Sequence, residues 1–239
     1  MPGFIALVCI ACRVGPAHPP RCLHSRRRPS KTRKMRVPHR WSVLASLCLV
    51  SRLAVGAESA PSVEQQAAAA YQRGTELAAA GDHAGAVAAF DAALRLEPAS
   101  PTVRNDLGVE LYLSGDLARA ERELRAVLDA DPTRGLARVN LAFVLYDRGD
   151  IDQAVTQWRT ALEQGARVAD AYAGLALGLF KQGKTAEAIE TYRLAIDRHA
   201  DYARLDYLTT GEAGWSRHAA ADADGLLRAL QRAAPAPTP

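Results

Sequence analysis

The chain has 239 residues, 30 of them Lys or Arg and 26 Asp or Glu, giving a formal net charge of +4. Eleven of the basic residues and none of the acidic ones fall in residues 1–57, so residues 58–239 hold 19 basic groups against 26 acidic ones and carry a net charge of −7. A surface of that sign offers phosphates no broad basic patch, which excludes a general nucleic-acid-binding role for the folded part.

Cys9, Cys12, Cys22 and Cys48 all precede residue 58, so the rest of the chain has neither thiol chemistry nor disulfides. Cys9, Cys12 and Cys22 with His24 have a zinc-like spacing, but their Pro- and Arg-rich surroundings supply no second helix or hairpin to close a site, and no metal is expected there. Met35-Arg36-Val37-Pro38-His39-Arg40, the apolar run Trp41 to Val50 and the small residues Ala54-Val55-Gly56-Ala57 have the three-part layout of a secretory signal peptide. The run is about half of the roughly 20 residues that a membrane-spanning helix requires, so a signal over residues 35–57, cleaved near Ala57, is expected in preference to a permanent anchor. The membrane would be engaged only through this segment, were it to stay uncleaved. Residues 1–34 read as an upstream extension ahead of a start at Met35, and residues 58–66 as a linker or the start of the first helix.

Beyond residue 66 the sequence repeats with a period of 34 and no insertion or deletion. Small residues recur at Gly74, Gly108, Ala142 and Ala176; Gly81, Gly115, Gly149 and Gly183 follow; then come Ala86, Ala120, Ala154 and Ala188, and after them Phe90, Leu124, Trp158 and Tyr192. Ala93, Val127, Ala161 and Ala195 complete each copy, closed by Pro98 and Pro132 in the first two and by Ala166 and Ala200 in the others. Apolar residues such as Leu107, Leu111 and Tyr112 stand at helical intervals, and the glycine ends the first helix of the copy because it tolerates a left-handed turn. Small residues let the two helices approach, and the large residue of the second helix fills the space they leave. No copy can bury its own face, so the copies must stack.

This register resembles the tetratricopeptide repeat, a helix-turn-helix unit, over residues 67–100, 101–134, 135–168 and 169–202. The resemblance implies an all-α chain in which stacked helix-turn-helix repeats form a right-handed solenoid. Residues 203–233 leave the register but keep Leu205, Leu208, Trp215, Leu226, Leu227 and Leu230, and are expected to form one or two helices capping the last repeat, with Ser216 at a helix N-terminus. Residues 234–239 are an Ala/Pro tail.

The sequence after residue 57 contains no phosphate loop, nucleophile elbow or paired metal-binding histidines. Asp222-Ala223-Asp224-Gly225 echoes the start of a calcium loop without its alternating ligands or closing glutamate, and His83, His199 and His218 lie in different units. No enzyme, cofactor or metal is therefore expected. In stacked repeats the first helices line a concave groove, and the register brings Tyr71, Gln72, Thr75, Asn105, Asp106, Val109, Tyr112, Asn140, Phe143, Tyr146, Leu177 and Phe180 to it. Of these, Tyr71, Asn105, Asp106, Tyr112, Asn140, Tyr146 and Phe180 are the candidate partner-binding residues. The amides of Asn105 and Asn140 are suited to an extended peptide backbone. Val109, Phe143, Leu177 and Phe180 have packing between repeats as their alternative role. Family members that clamp a terminal carboxylate use cations, whereas the matching places here hold Tyr71, Thr75, Asp106, Leu136 and Asn140. The expected function is that of an exported interaction module, periplasmic or secreted from a bacterium, which binds a partner protein or extended peptide. Its alternatives are an envelope-complex scaffold or assembly subunit that uses the convex face or the cap and, after that, an enzyme whose active site none of these motifs marks.

Overall fold

The computed structural model describes residues 60–166, 168–210 and 214–233. The expected leader and the Ala/Pro tail lie outside these residues. All regular structure among the described residues is helical: α1 (Val63–Ala79), α2 (His83–Leu96), α3 (Pro101–Ser114), α4 (Leu117–Ala130), α5 (Gly135–Asp147), α6 (Ile151–Glu163), α7 (Ala169–Lys181), α8 (Thr185–Arg198), a short 3-10 turn (Ala200–Ala203), α9 (Leu205–Thr209) and α10 (Arg217–Arg232). The helices α1 to α8 form four pairs that follow the 34-residue register.

Local chemistry sets the helix ends. Ser62 and Gln65 form a reciprocal capping box at the start of α1, the Ser62 hydroxyl accepting from the Gln65 N–H at 3.2 Å and the Gln65 side-chain Oε1 from the Ser62 N–H at 2.8 Å. Between the helices of a pair, Gly115 and Gly149 take φ of +91° and +87°, a left-handed conformation that nearly every other residue resists. The aspartates just after the turn glycines start the next helix: Asp82 accepts from the Gly85 N–H at 2.9 Å and Asp116 from the Arg119 N–H at 3.1 Å. Pro101 opens α3, where its missing N–H has no cost.

Packing follows the small-large complementarity of the repeat. Phe90, Leu124, Trp158 and Tyr192 are fully buried. A Cβ on Gly74 would stand 2.4 Å from Phe90 Cε1, and one on Gly108 2.7 Å from Leu124 Cγ, so both glycines are required by close approach. Trp158 instead reaches forward, against Gly174 and Gly178 of the next repeat, and meets Phe143 edge-on at 5.1 Å between ring centroids. The repeat boundaries use a second device, which the sequence reading missed. Arg104 and Arg138, one period apart, each donate to the carbonyl of the preceding closing proline, Pro98 and Pro132, at 2.8 Å. At the same place in the fourth copy, Tyr172 lies under the Arg198 guanidinium at 4.0 Å.

Each helix from α1 to α8 packs on its neighbours in sequence, and α3 with α5 and α5 with α7 also touch, so the first helices of successive repeats form an inner layer. The segment after the last repeat does two things. The 3-10 turn and Trp215 close over α8 and the start of α7: the Tyr192 hydroxyl donates to the Tyr202 carbonyl at 2.8 Å, while the Tyr202 hydroxyl and, at 3.4 Å, the Trp215 indole N–H donate to the buried Asp170 carboxyl. The Ser216 hydroxyl accepts from the Ala219 N–H at 3.0 Å and starts α10, as its position suggested. Helix α10 does not stay at the end of the stack. It turns back across the inner layer and packs on α5 and α7 as well as α8.

Candidate functional site

The expected groove residues divide into two connected sets on the inner layer. The first is a polar ladder across three repeats. The Tyr71 hydroxyl donates to Asp106 Oδ2 at 2.9 Å, Asn105 Nδ2 donates to Asp106 Oδ1 at 3.1 Å, and Asn140 Nδ2 donates to Asn105 Oδ1 at 3.1 Å. Desolvation raises the Asp106 carboxyl above its ordinary range, against the lowering effect of the hydrogen bonds from Tyr71 and Asn105. Burial, with the neighbouring Asp106 charge, raises the Tyr71 phenol as well. The two amides expected to hold a peptide backbone thus also hold each other, with Asn140 itself buried. Near this ladder a buried carboxylate, Glu110, pairs with His83 Nδ1 at 2.8 Å, and its pKa is raised chiefly by desolvation.

The second set, Tyr112, Tyr146 and Phe180, lies beneath α10. The Tyr112 hydroxyl accepts from the Ser216 N–H at 3.1 Å. The Tyr146 hydroxyl donates to Asp222 Oδ2 at 2.7 Å, and Lys181 Nζ stands 2.6 Å from the other oxygen, Oδ1. His218 bridges two carboxylates, with Nε2 at 3.3 Å from Asp222 and Nδ1 at 3.1 Å from Asp147, and its ring centroid is 5.6 Å from that of Tyr146. A Cβ on Gly225 would stand 3.3 Å from Phe180 Cε1, so glycine lets α10 come close at that point. Tyr146 is completely buried by this arrangement. Its phenol is raised first by desolvation and then by Asp222.

The remaining groove-facing residues have local roles. Val109, Phe143 and Leu177 are core, Phe143 lying 6.4 Å from the Tyr112 ring and 5.5 Å from that of Trp215. The Thr75 hydroxyl donates to the Gln72 carbonyl at 2.7 Å. Asp222 and Asp224, noticed in the sequence for their calcium-like spacing, belong to α10, where the first faces Tyr146 and Lys181 and the second pairs with Arg228. Among the described residues no group of three or more His, Cys, Asp or Glu is placed to hold a metal ion, and no helix is long and apolar enough to cross a membrane. Sequence reasoning did not find Ser216, His218, Asp222 or Lys181 as inner-face residues. The amphipathic pattern of α10 was visible, but it falls outside the repeat register and so carried no information about where the helix docks.

Comparisons with known proteins agree with this architecture. The family model described as tetratricopeptide repeat matches residues 65–134 and 139–203. No curated protein matches the chain in sequence. Among solved structures, residues 41 to the end of MamA from Desulfovibrio magneticus RS-1 superpose with a TM-score of 0.53 at 18% identity, covering 73% of this chain and 100% of that one. A structure titled "MamA RS-1 ArsTM double mutant" gives a TM-score of 0.52 at 19% identity, covering 72% and 97%. A crystal structure of MamA protein gives 0.51 at 21% identity, covering 74% and 100%. At these identities the likeness is one of fold.

Proposed function

The chain belongs to the tetratricopeptide repeat family, and on that premise we propose that it is an interaction module which takes a partner protein on the inner face of its stacked helices. The observation that carries this reading is that the inner face already holds a helix: Tyr112, Tyr146 and Lys181, from three successive repeats, all contact the segment Ser216 to Asp222. The polar ladder from Tyr71 to Asn140 extends the same face toward the first repeat, through side chains that stacking alone does not require. The proposal also places the module outside the cytoplasm of a bacterium, periplasmic or secreted; its support is the signal-like layout of residues 35–57 and the absence of cysteine after residue 48.

The test is capture of a partner from the envelope fraction by the full chain, repeated with Asn140→Ala on the inner face and Arg159→Ala at the exposed Arg159–Glu187 pair. Leaving a buried polar partner unpaired typically costs about 1–3 kcal/mol, so Asn140→Ala should weaken partner binding by roughly 5- to 150-fold. Arg159→Ala should leave it unchanged, with the stability of both variants measured alongside. Loss of binding with Arg159→Ala and not with Asn140→Ala would place the partner on the outer face and favour the scaffold reading.

A further inference from the structure

Helix α10 is held by a mixed set of contacts that reads as a recognition pattern. One face is built of Ala219, Ala220, Ala223, Leu226 and Leu227, all buried. On that side Asp222 is set between the Tyr146 hydroxyl at 2.7 Å and Lys181 Nζ at 2.6 Å, and the N-cap residue Ser216 donates its N–H to the Tyr112 hydroxyl at 3.1 Å. These polar contacts come from α3, α5 and α7, so three successive repeats hold the segment Ser216 to Asp222, while the body of α10 packs on α5, α7 and α8.

Helix α10 also relies on its dock. Gly225 lies in its interior, and glycine there lowers intrinsic helix stability relative to alanine. The same glycine permits the close approach to Phe180. A helix of 16 residues with an interior glycine is marginal in isolation and depends on its dock for its helical state. The side chains of Lys181 and Asp222 are 36% and 21% exposed, so water already reaches the charged contact.

Resting on the inner-face reading above, we infer that the partner segment is an amphipathic α-helix with a small-residue face and a carboxylate that takes the place of Asp222 between Tyr146 and Lys181, and that α10 is the resident helix it displaces. An extended strand could not set a carboxylate and an apolar face on one side at helical spacing over this length. A cation in place of Asp222 would face Lys181, so the charge of the preferred segment is fixed at that point.

The probe is a fluorescent peptide of residues 214–233, titrated onto the full chain and onto full-length Asp222→Asn. In the wild-type chain the tethered helix competes at high effective concentration and binding in trans is weak. Weakening the resident helix by Asp222→Asn should make the peptide bind about tenfold more tightly, the scale of one charge-assisted hydrogen bond. The same change made in the peptide should lower its affinity for that chain by a similar factor. Lys181→Met, on an exposed side chain, should do likewise without disturbing the fold, which circular dichroism checks. Equal binding of the native and Asp222→Asn peptides overturns the inference, as does indifference to Lys181→Met. A full chain that sizes as a dimer exchanging α10 overturns it too, because the occupant would then be a second copy. The partner reading fails separately: the peptide needs no external protein, whereas the Asn140→Ala comparison on a captured partner needs no peptide.

Discussion

The Tyr146 hydroxyl donates to the Asp222 carboxylate at 2.7 Å across 76 residues of chain, joining the third repeat to the C-terminal helix. With Lys181 on the other oxygen of the same carboxylate, this bond turns a helix that could have capped the stack into one that lies along its inner layer. The inner face is thereby covered in part by a helix of the same chain.

Asp222→Asn keeps an acceptor for Tyr146 but removes the ion pair with Lys181. The expected loss of stability is about 1.5 kcal/mol, the lower end of the range for a hydrogen bond to a charged group because both side chains are partly solvated. Amide exchange should rise in α10 and remain slow in α5, a contrast that hydrogen-exchange mass spectrometry resolves. Uniform acceleration across the repeats would mean that α10 is part of one cooperative unit with them.

Trp158 is fully buried and seated against Gly174 and Gly178 of the following repeat. Trp158→Ala should cost about 3–5 kcal/mol, the usual range for truncating a buried aromatic, and should lower the denaturant midpoint accordingly. A loss below about 1 kcal/mol would show that the third and fourth repeats are not coupled through this side chain.

Trp158 and Asp222 mark the limits of what was legible in advance. Gly115, Gly149, Phe90 and Trp158 recur at a fixed interval because each repeat solves one packing problem in the same way, so period alone locates turns and core. The Tyr146–Asp222 bond has no such signature. Asp222 lies outside the register, and the pattern of α10 reveals an apolar face without saying which surface covers it. Phe143 was ambiguous for a related reason: first-helix positions face both the groove and the next repeat, and in the folded chain its ring contacts Tyr112, Trp158 and Trp215. The arginines at Arg104 and Arg138 were periodic too, yet their target is the carbonyl of Pro98 or Pro132, which side-chain patterning does not show.

Asp170 gives a pH dependence with a definite sign. Desolvation pushes its carboxyl up to about 6, against the hydrogen bonds from Tyr202 and Trp215. The folded chain therefore holds this proton more tightly than the unfolded chain, whose aspartate titrates near 3.8. Its contribution to stability is full below that value and is lost as pH rises through about 6, a change on the order of 3 kcal/mol. Asp170→Asn retains an acceptor for both donors and should flatten the difference in urea midpoints between pH 4 and pH 7. An identical slope in both proteins would assign the dependence to other groups.

Export is tested by N-terminal sequencing of the protein from its native host. Cleavage after Ala57, leaving Glu58 first, is the expected result of the apolar run followed by small residues. A mature form that retains Met35 or begins near Met1 contradicts the exported reading.

The central claim, that the inner face is the partner site and α10 its resident occupant, is tested most directly by competition. A partner captured by the full chain is titrated with the peptide of residues 214–233, and the fraction still bound is followed. The peptide should displace the partner completely, and the Asp222→Asn peptide should need about tenfold more to do so. A partner that stays bound at saturating peptide would contradict the claim and place the interaction elsewhere on the chain.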